Sequence, residues 1–303
     1  MIQFSLRQLE YFVAAAQHGG ALYAAQALHV SQPSISQAIN NLEALWGVRL
    51  FARLHARGLQ LTTEGKLHYR QAQIILRQAE TLGRGNRIDG SLAVGCFSTL
   101  GPMYFPALLR IYRQAYPEVQ VSLFEADTET LLSRIERDTL DLALIYDTGL
   151  FNRSRLHYLG ELPPYVLLPP DHPLASHDLV NIEELDQQPL ILINLPHSRE
   201  YFLSLFNLQD VNPKIIAETG SIEMARSLVA NGHGISILVT RPAHDSSYDG
   251  KPIACRPLKG LFPPQKIALA SSSNYEISSA GQAFIDVAQG YFDASHGHAA
   301  FSS

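Results

Sequence analysis

The sequence predicts an α/β protein in three sections: a small helical N-terminal module, one long helix, and two lobes in which strands and helices alternate. Three observations lead there. Helical periodicity with capping residues fills the first sixty positions, a 3.6-residue pattern runs on from about 63 to 82, and short apolar runs alternate with amphipathic segments beyond 90. A chain of 303 residues that is 46 % hydrophobic is long enough for about two domains with real cores. Wholesale disorder and a disulfide-stapled mini-scaffold are excluded. The longest largely apolar runs, such as 190–195 with its single Asn194, reach about a third of the ~18–20 residues a membrane span needs. Residues 1–8 have no basic segment followed by an apolar stretch, so the expected location is the cytoplasm, with no membrane partner. Cys96 and Cys255 lie far apart with no CxxC spacing and read as small reduced core residues.

The charge is unevenly distributed. Net charge is −5, yet residues 1–90 hold nine Lys and Arg against five acids, while the remainder holds 14 against 23. Such a split describes a small basic module able to approach phosphate, joined to a larger acidic body that repels it.

In the first section, Ser5 followed by Gln8 is a capping-box start, and Leu6, Leu9, Phe12, Val13 and Ala16 follow at helical spacing up to His18-Gly19-Gly20. An alanine-rich helix is expected over 21–28, where small side chains let a neighbour come close. Ser31 then caps a third helix with Pro33 in its first turn, where the missing N–H costs nothing. Projected at 100° per residue, Ile35, Ala38, Ile39, Leu42 and Trp46 share the inward side. The opposite side carries Gln32, Pro33, Ser34, Ser36, Gln37, Asn40 and Asn41, with no charge until Glu43. A solvated face ordinarily carries Lys and Glu. A face of amides and hydroxyls instead offers paired donors and acceptors that match base edges in a major groove.

A hairpin is expected over 49–61 with its tip at 55–58, carrying Arg53 and Arg57 where a wing would lie along a phosphate backbone. Helix, short helix, turn, polar-faced helix and basic wing make a winged helix-turn-helix over 1–62. The long helix and a Gly-rich hinge occupy 63–90. Ala72, Ile75, Ala79 and Leu82 repeat at 3-4-3 spacing along it, a seam suited to the same helix of a second copy, the alternative being packing on its own chain.

Beyond the hinge, strands are expected over 92–97, 119–124 and 141–146 and helices over 103–116 and 129–139. A second series has strands over 165–168, 189–194, 214–217, 234–239 and 265–270 and helices over 198–208, 222–231 and 279–292. The reading is two lobes with mostly parallel sheets, lobe I about 91–162 and 266–303, lobe II about 163–265, with ligand sites beyond the C-terminal strand ends. No catalytic residue or cofactor is expected, because GxSxG, HExxH, Ser-x-x-Lys, Walker and GxGxxG motifs are all absent from the sequence. His296 and His298, in a tail, are not read as a metal site.

Several spaced elements agree in order and distance with one family. They are Leu6-Arg7-Gln8-Leu9-Glu10-Tyr11-Phe12, Ala24-Ala25, Leu28-His29-Val30-Ser31-Gln32-Pro33-Ser34-Ile35-Ser36, Leu42-Glu43, Gly47-Val48-Arg49-Leu50-Phe51 and Leu61-Thr62-Thr63-Glu64-Gly65. With these the chain resembles the LysR-type transcriptional regulators. Tyr116-Pro117-Glu118-Val119, Leu140 to Leu144 and Gly232 to Ile235 extend the resemblance over nearly the whole length. It implies a periplasmic-binding-protein-like effector domain over 91–303 and a homodimer or dimer of dimers on double-stranded promoter DNA. A small-molecule effector between the lobes would alter DNA bending or contact with RNA polymerase. It carries DNA reading to Gln32, Pro33, Ser34, Ser36 and Gln37, with Arg53 and Arg57 as wing contacts. The sequence departs from the family at Gly20, where Ser or Thr usually caps the second helix, and at Gln37, where Arg is common.

For the effector, helix starts at a cleft present free N–H groups and hydroxyls to a small polar or anionic ligand. The candidates are Ser98, Thr99, Thr128, Tyr146, Ser198, Arg199 and Ser221. Each hydroxyl taken singly also reads as a plain N-cap.

Overall fold

The computed structural model describes residues 3–54, 58–84, 88–149, 154–274 and 276–296. They fall into two compact units, Met1–Arg87 and Ile88–Ser303.

In the first unit α1 (Leu6–Gln17) begins with the capping box, Ser5 and Gln8 satisfying each other's backbone N–H groups. It is followed by α2 (Ala21–Ala27), α3 (Gln32–Trp46), the hairpin β1 (Phe51–Leu54) and β2 (Gly58–Leu61), and α4 (Thr63–Arg84). Leu9, Phe12, Ile35, Leu42 and Leu50 are fully buried together. Phe12 meets Trp46, Phe51 and Tyr69 edge-on, ring centroids 5.6–6.5 Å apart, so one aromatic side chain ties α1, α3, β1 and α4 together.

The hairpin is anchored from α3. The Glu43 carboxylate accepts the backbone N–H of Leu50 at 2.7 Å and of Phe51 at 3.3 Å, and pairs with Arg49 at 3.1 Å. Thr62 accepts the Gly65 N–H at 2.8 Å and donates to the Arg49 carbonyl at 2.6 Å, joining the start of α4 to the start of the hairpin. Gly65 is required there, since a Cβ would stand 1.9 Å from the Leu50 carbonyl oxygen.

One expectation for α4 is corrected. Ala72 is 1 % exposed within the unit's own core, and Ile75 packs partly against that core. The first half of the 3-4-3 repeat is therefore filled by the chain's own α1 and aromatic cluster and is not an open seam. Ala79 is half-buried, and the Leu82 side chain lies outside the described residues. α4 runs to Arg84 and the next strand opens at Gly90, and residues 85–87 of the expected hinge lie outside the described residues.

The second unit begins with β3 (Gly90–Phe97), α5 (Gly101–Ala115), β4 (Val119–Ala126), α6 (Thr128–Glu136), β5 (Leu142–Tyr146) and β6 (Ser154–Leu162). With β12 (Gln265–Ser272) the strands form one sheet in the order β4-β3-β5-β12-β6. The β3 strand is parallel to β4 and β5, while β12 is antiparallel to both β5 and β6. The closing helix α9 (Ser279–His296) packs with α5 on this sheet, where the Tyr112 hydroxyl donates to the Ala280 carbonyl at 2.8 Å.

Between the two parts of that sheet the chain builds β7 (Tyr165–Leu168), β8 (Pro189–Ile193), α7 (Ser198–Asn207), β9 (Lys214–Thr219), α8 (Ile222–Ala230), β10 (Ser236–Leu238) and β11 (Ala254–Pro257). β8 and β9 are parallel, but β7 is flanked by antiparallel β10 and β11. A parallel bridge from Leu190 to Ile235 joins the two groups. The expectation of mostly parallel sheets thus fails for the β7 group and for the β12 side of lobe I. β6, half-exposed on an edge, and β11, four residues containing Arg and Pro, carry too weak a period to be read as strands.

Candidate functional site

Two regions gather polar side chains on well-packed supports. The first is the outward face of α3. Gln32, Pro33, Ser34, Gln37, Asn40 and Asn41 are exposed and Ser36 is half-buried, while Ile35, Ala38, Ile39 and Leu42 on the other side are buried. The face is ordered by its own hydrogen bonds: Ser31 to Ser34 at 2.7 Å, Gln32 to Ser36 at 3.4 Å, and Gln37 to Asn41 at 2.8 Å. Beside it the start of α1 supplies Ser5, Arg7, Gln8 and Tyr11 as the opposite wall of an open groove. Arg53 sits on β1 opposite Leu59 in register, its side chain outside the described residues, and Arg57 lies outside them altogether.

The second region is a cavity between the lobes of the larger unit, about 20 Å³ in volume, room for roughly one water. Lobe I supplies Thr99 from the turn after β3, Tyr146 from the end of β5, and Gln265, which the structure places at the start of β12 and so in the lobe I sheet. Lobe II supplies Ile193, Ser198, Tyr201, Phe202 and Ile222, together with Leu238, Val239 and Thr240 at the end of β10. The polar atoms are thus hydroxyls and one amide, and no charged side chain lines the space. Thr99 and Tyr146 share a hydrogen bond of 3.1 Å. Burial pushes the Tyr146 hydroxyl well above the ordinary phenol range, so it stays protonated and neutral. Tyr201, also raised by burial, donates to the Pro263 carbonyl at 2.8 Å.

Thr240 stands out within the cavity wall. It is 1 % exposed, its carbonyl accepts from the Tyr165 hydroxyl at 2.9 Å, and its own hydroxyl makes no hydrogen bond. It lies beside the Tyr146 hydroxyl and lowers that group's pKa as a weak hydrogen bond would, but the pair does not reach normal hydrogen-bond geometry. His197, the left-handed N-cap of α7 at φ 64°, brings its Nε2 to 3.6 Å from a carboxylate oxygen of Glu129 on α6.

Of the seven residues expected to contact a ligand, Thr99, Tyr146 and Ser198 come together here. The others are placed elsewhere. Arg199 is held by Glu218 at 3.1 Å. Ser221 caps α8 by accepting the Met224 N–H at 3.1 Å and donates to Glu223. Thr128 is buried at the first position of α6, which is capped by Asp127. Ser98 lies half-buried in the turn before Thr99 and does not line the cavity. The free N–H groups expected at the α7 start are taken as well, since Ser198 and Arg199 both donate to the Leu195 carbonyl at 3.1 and 3.2 Å. Thr240 and Gln265 were not anticipated. Thr240 follows a strand end, where the rule for open α/β sheets points, and Gln265 was hidden because its strand runs antiparallel. Among the described residues, no His, Cys, Asp and Glu group is placed to hold a metal, and no helix is long and apolar enough to cross a membrane.

Residues 6–66 match the bacterial regulatory helix-turn-helix proteins of the lysR family, and residues 85–293 match the LysR substrate binding domain. The chain belongs to the LysR family of transcriptional regulators. It is similar to the DNA-binding transcriptional dual regulator OxyR of Escherichia coli strain K12, with 30 % identity over 77 % of this chain and 78 % of OxyR. Among solved structures it is similar to HinK, a LysR family transcriptional regulator from Pseudomonas aeruginosa, with 34 % identity, 96 % and 99 % coverage and a TM-score of 0.67. A full-length OxyR variant from Pseudomonas aeruginosa superposes with a TM-score of 0.70 at 27 % identity, covering 95 % of this chain and 96 % of that one. The protein is accordingly a ligand-responsive LysR-type regulator with a substrate-binding domain, and not an enzyme.

Proposed function

We propose that residues 1–62 read a promoter sequence through the α3 face, that 63–90 connect and help pair two copies, and that 91–303 sense a small effector between the lobes. The observation that carries this reading is the uncharged run of Gln32, Ser34, Ser36, Gln37 and Asn40 along one side of a helix whose other side is core. Gln and Asn bind adenine through a donor and an acceptor at once, a match that is lost with the wrong base. Arg53 and Arg57 on the wing contribute phosphate contacts, which add affinity and register without reading sequence. Effector binding alters promoter bending or contact with RNA polymerase, in a cytoplasmic homodimer or dimer of dimers. Ala79 and Leu82, in the second half of α4, are the proposed pairing positions.

The lining of the interlobe cavity favours a small polar effector over an anionic one, because Arg199 is committed to Glu218; the lobes part to let it reach Thr99, Tyr146, Ser198 and Thr240, since the cavity as it stands has room for about one water. Some relatives are named as hydrogen peroxide-inducible activators. The two cysteines of this chain do not favour a thiol-based response to peroxide. Cys96 and Cys255 are buried, and burial pushes their thiols up to about 11 and about 12, away from the reactive thiolate.

The test is to sequence the genomic fragments retained by the full-length protein. A recurring, partly palindromic site upstream of genes is expected. At that site Gln32→Ala should cost about 1–3 kcal/mol, whereas Arg57→Ala should weaken specific and random DNA alike and flatten the salt dependence. Equal losses on specific and random DNA for both variants would refute this division of roles.

A further inference from the structure

We infer that the groove between the start of α1 and the middle of α3 straddles one DNA strand, with Gln37 reading an adenine and Arg7 holding a neighbouring phosphate. This rests on the reading that α3 enters a major groove, and it concerns residues whose roles there have not been distinguished. Gln37 is exposed, and its amide Nε2 donates one hydrogen to Asn41 Oδ1 at 2.8 Å. One N–H and the amide oxygen of Gln37 remain. That is one donor and one acceptor, the complement of adenine N7 and N6–H. Guanine presents two acceptors, N7 and O6, and needs two donors on the protein, as an arginine would supply. By occupying one of the two amide hydrogens, Asn41 removes the arrangement that would suit guanine and fixes the amide plane along the helix.

Across the groove Arg7 is oriented rather than free-swinging. Its Nε donates to the Tyr11 hydroxyl at 2.8 Å and its guanidinium lies 5.7 Å from the centre of the Tyr11 ring. The terminal nitrogens of this exposed side chain are left for an acceptor in solution. The groove itself is lined by Ser5, Gln8, Pro33 and Ser34, hydroxyls, an amide and a pyrrolidine ring, without a carboxylate that would repel a phosphate. A cation fixed on one wall and a paired amide on the other match a backbone and the base edge it carries.

The experiment is repeated selection from a random duplex pool with the full-length protein, followed by affinity measurement on the winning sequence at several salt concentrations. The wild-type motif should hold a fixed A·T pair in each half-site. With Gln37→Ala that position alone should become degenerate, with about tenfold weaker binding. With Gln37→Arg it should change to G·C, and with Asn41→Ala the preference for adenine over guanine there should fall. Arg7→Ala should leave the motif intact, lower affinity on all DNA by a similar factor and make the salt slope shallower by about one unit. A wild-type motif with no position altered by Gln37→Ala would overturn the assignment of Gln37, as would loss of all selection by that variant. An unchanged salt slope in Arg7→Ala would overturn the assignment of Arg7. Absence of any wild-type motif would instead refute the reading of α3 on which both depend.

Discussion

Replacing Thr240 by valine removes one oxygen from the interlobe cavity and keeps the shape of the side chain. The Thr240 hydroxyl is fully buried and makes no hydrogen bond. A polar group left in that condition costs about 1–3 kcal/mol. The lower figure applies here, since the 20 Å³ space beside it admits a single water that offsets part of the penalty. Thr240→Val should therefore stabilise the larger unit by about 1 kcal/mol, which for a domain of this size raises the unfolding temperature by about 2–4 °C. Calorimetry on the full-length protein reads this as an upward shift of the transition belonging to residues 88–303. DNA binding should be unchanged, because Thr240 belongs to the other compact unit, while the response to effector should be lost. A fall in unfolding temperature would mean that the hydroxyl is satisfied by Tyr146 in the free protein. The site would then hold no unmet polar group for a ligand.

Other consequences can be checked by unfolding measurements on full-length variants. Gly65→Ala drives a methyl into the Leu50 carbonyl, which is backbone and has nowhere to move, so the DNA-binding unit should lose about 3 kcal/mol or more; a loss under about 1 kcal/mol would show that α4 shifts freely. Glu43→Ala strands the N–H groups of Leu50 and Phe51 and should cost about 1–3 kcal/mol, with amide exchange at those two positions rising before the rest of the unit. Asp127→Ala deletes the N-cap of α6 and should cost about 0.5–2 kcal/mol. The Thr130 N–H donating to Asp127 holds its carboxyl below the ordinary carboxylate value. Its contribution is therefore present above about pH 4 and lost as the pH falls through the lowered folded-state value. Asp127→Asn, which keeps a cap without the charge, should abolish that pH dependence; a slope identical to wild type would exclude Asp127 as its source.

The parts of the fold legible in the sequence are those whose signals are local. Ser5 with Gln8, Ser31 with Pro33, and the inward stripe of α3 fix helix starts and faces without help from distant residues, and the structure places them as read. The site was legible only where strand ends were correctly oriented. Thr99 and Tyr146 follow parallel strands, and Ser198 opens the helix after another. Arg199 and Ser221 have equally suitable positions along the chain but are captured by Glu218, Glu223 and the Met224 N–H, partners that only the folded geometry supplies. Ala72 is the counterpart in the long helix. Its spacing fits a seam between two copies, yet Phe12 and its neighbours create a core that takes it first. Non-local competition for a side chain leaves no trace in spacing or period.

The most direct test of the account is the ratio of affinities of the full-length protein for its selected genomic fragment and for a shuffled duplex of the same composition, measured near physiological ionic strength. The uncharged face of α3 predicts a preference of about a thousandfold or more for the selected fragment, reduced about tenfold or more by Gln32→Ala. A ratio near one, or a large ratio that Gln32→Ala leaves untouched, would contradict the claim that this face discriminates base sequence.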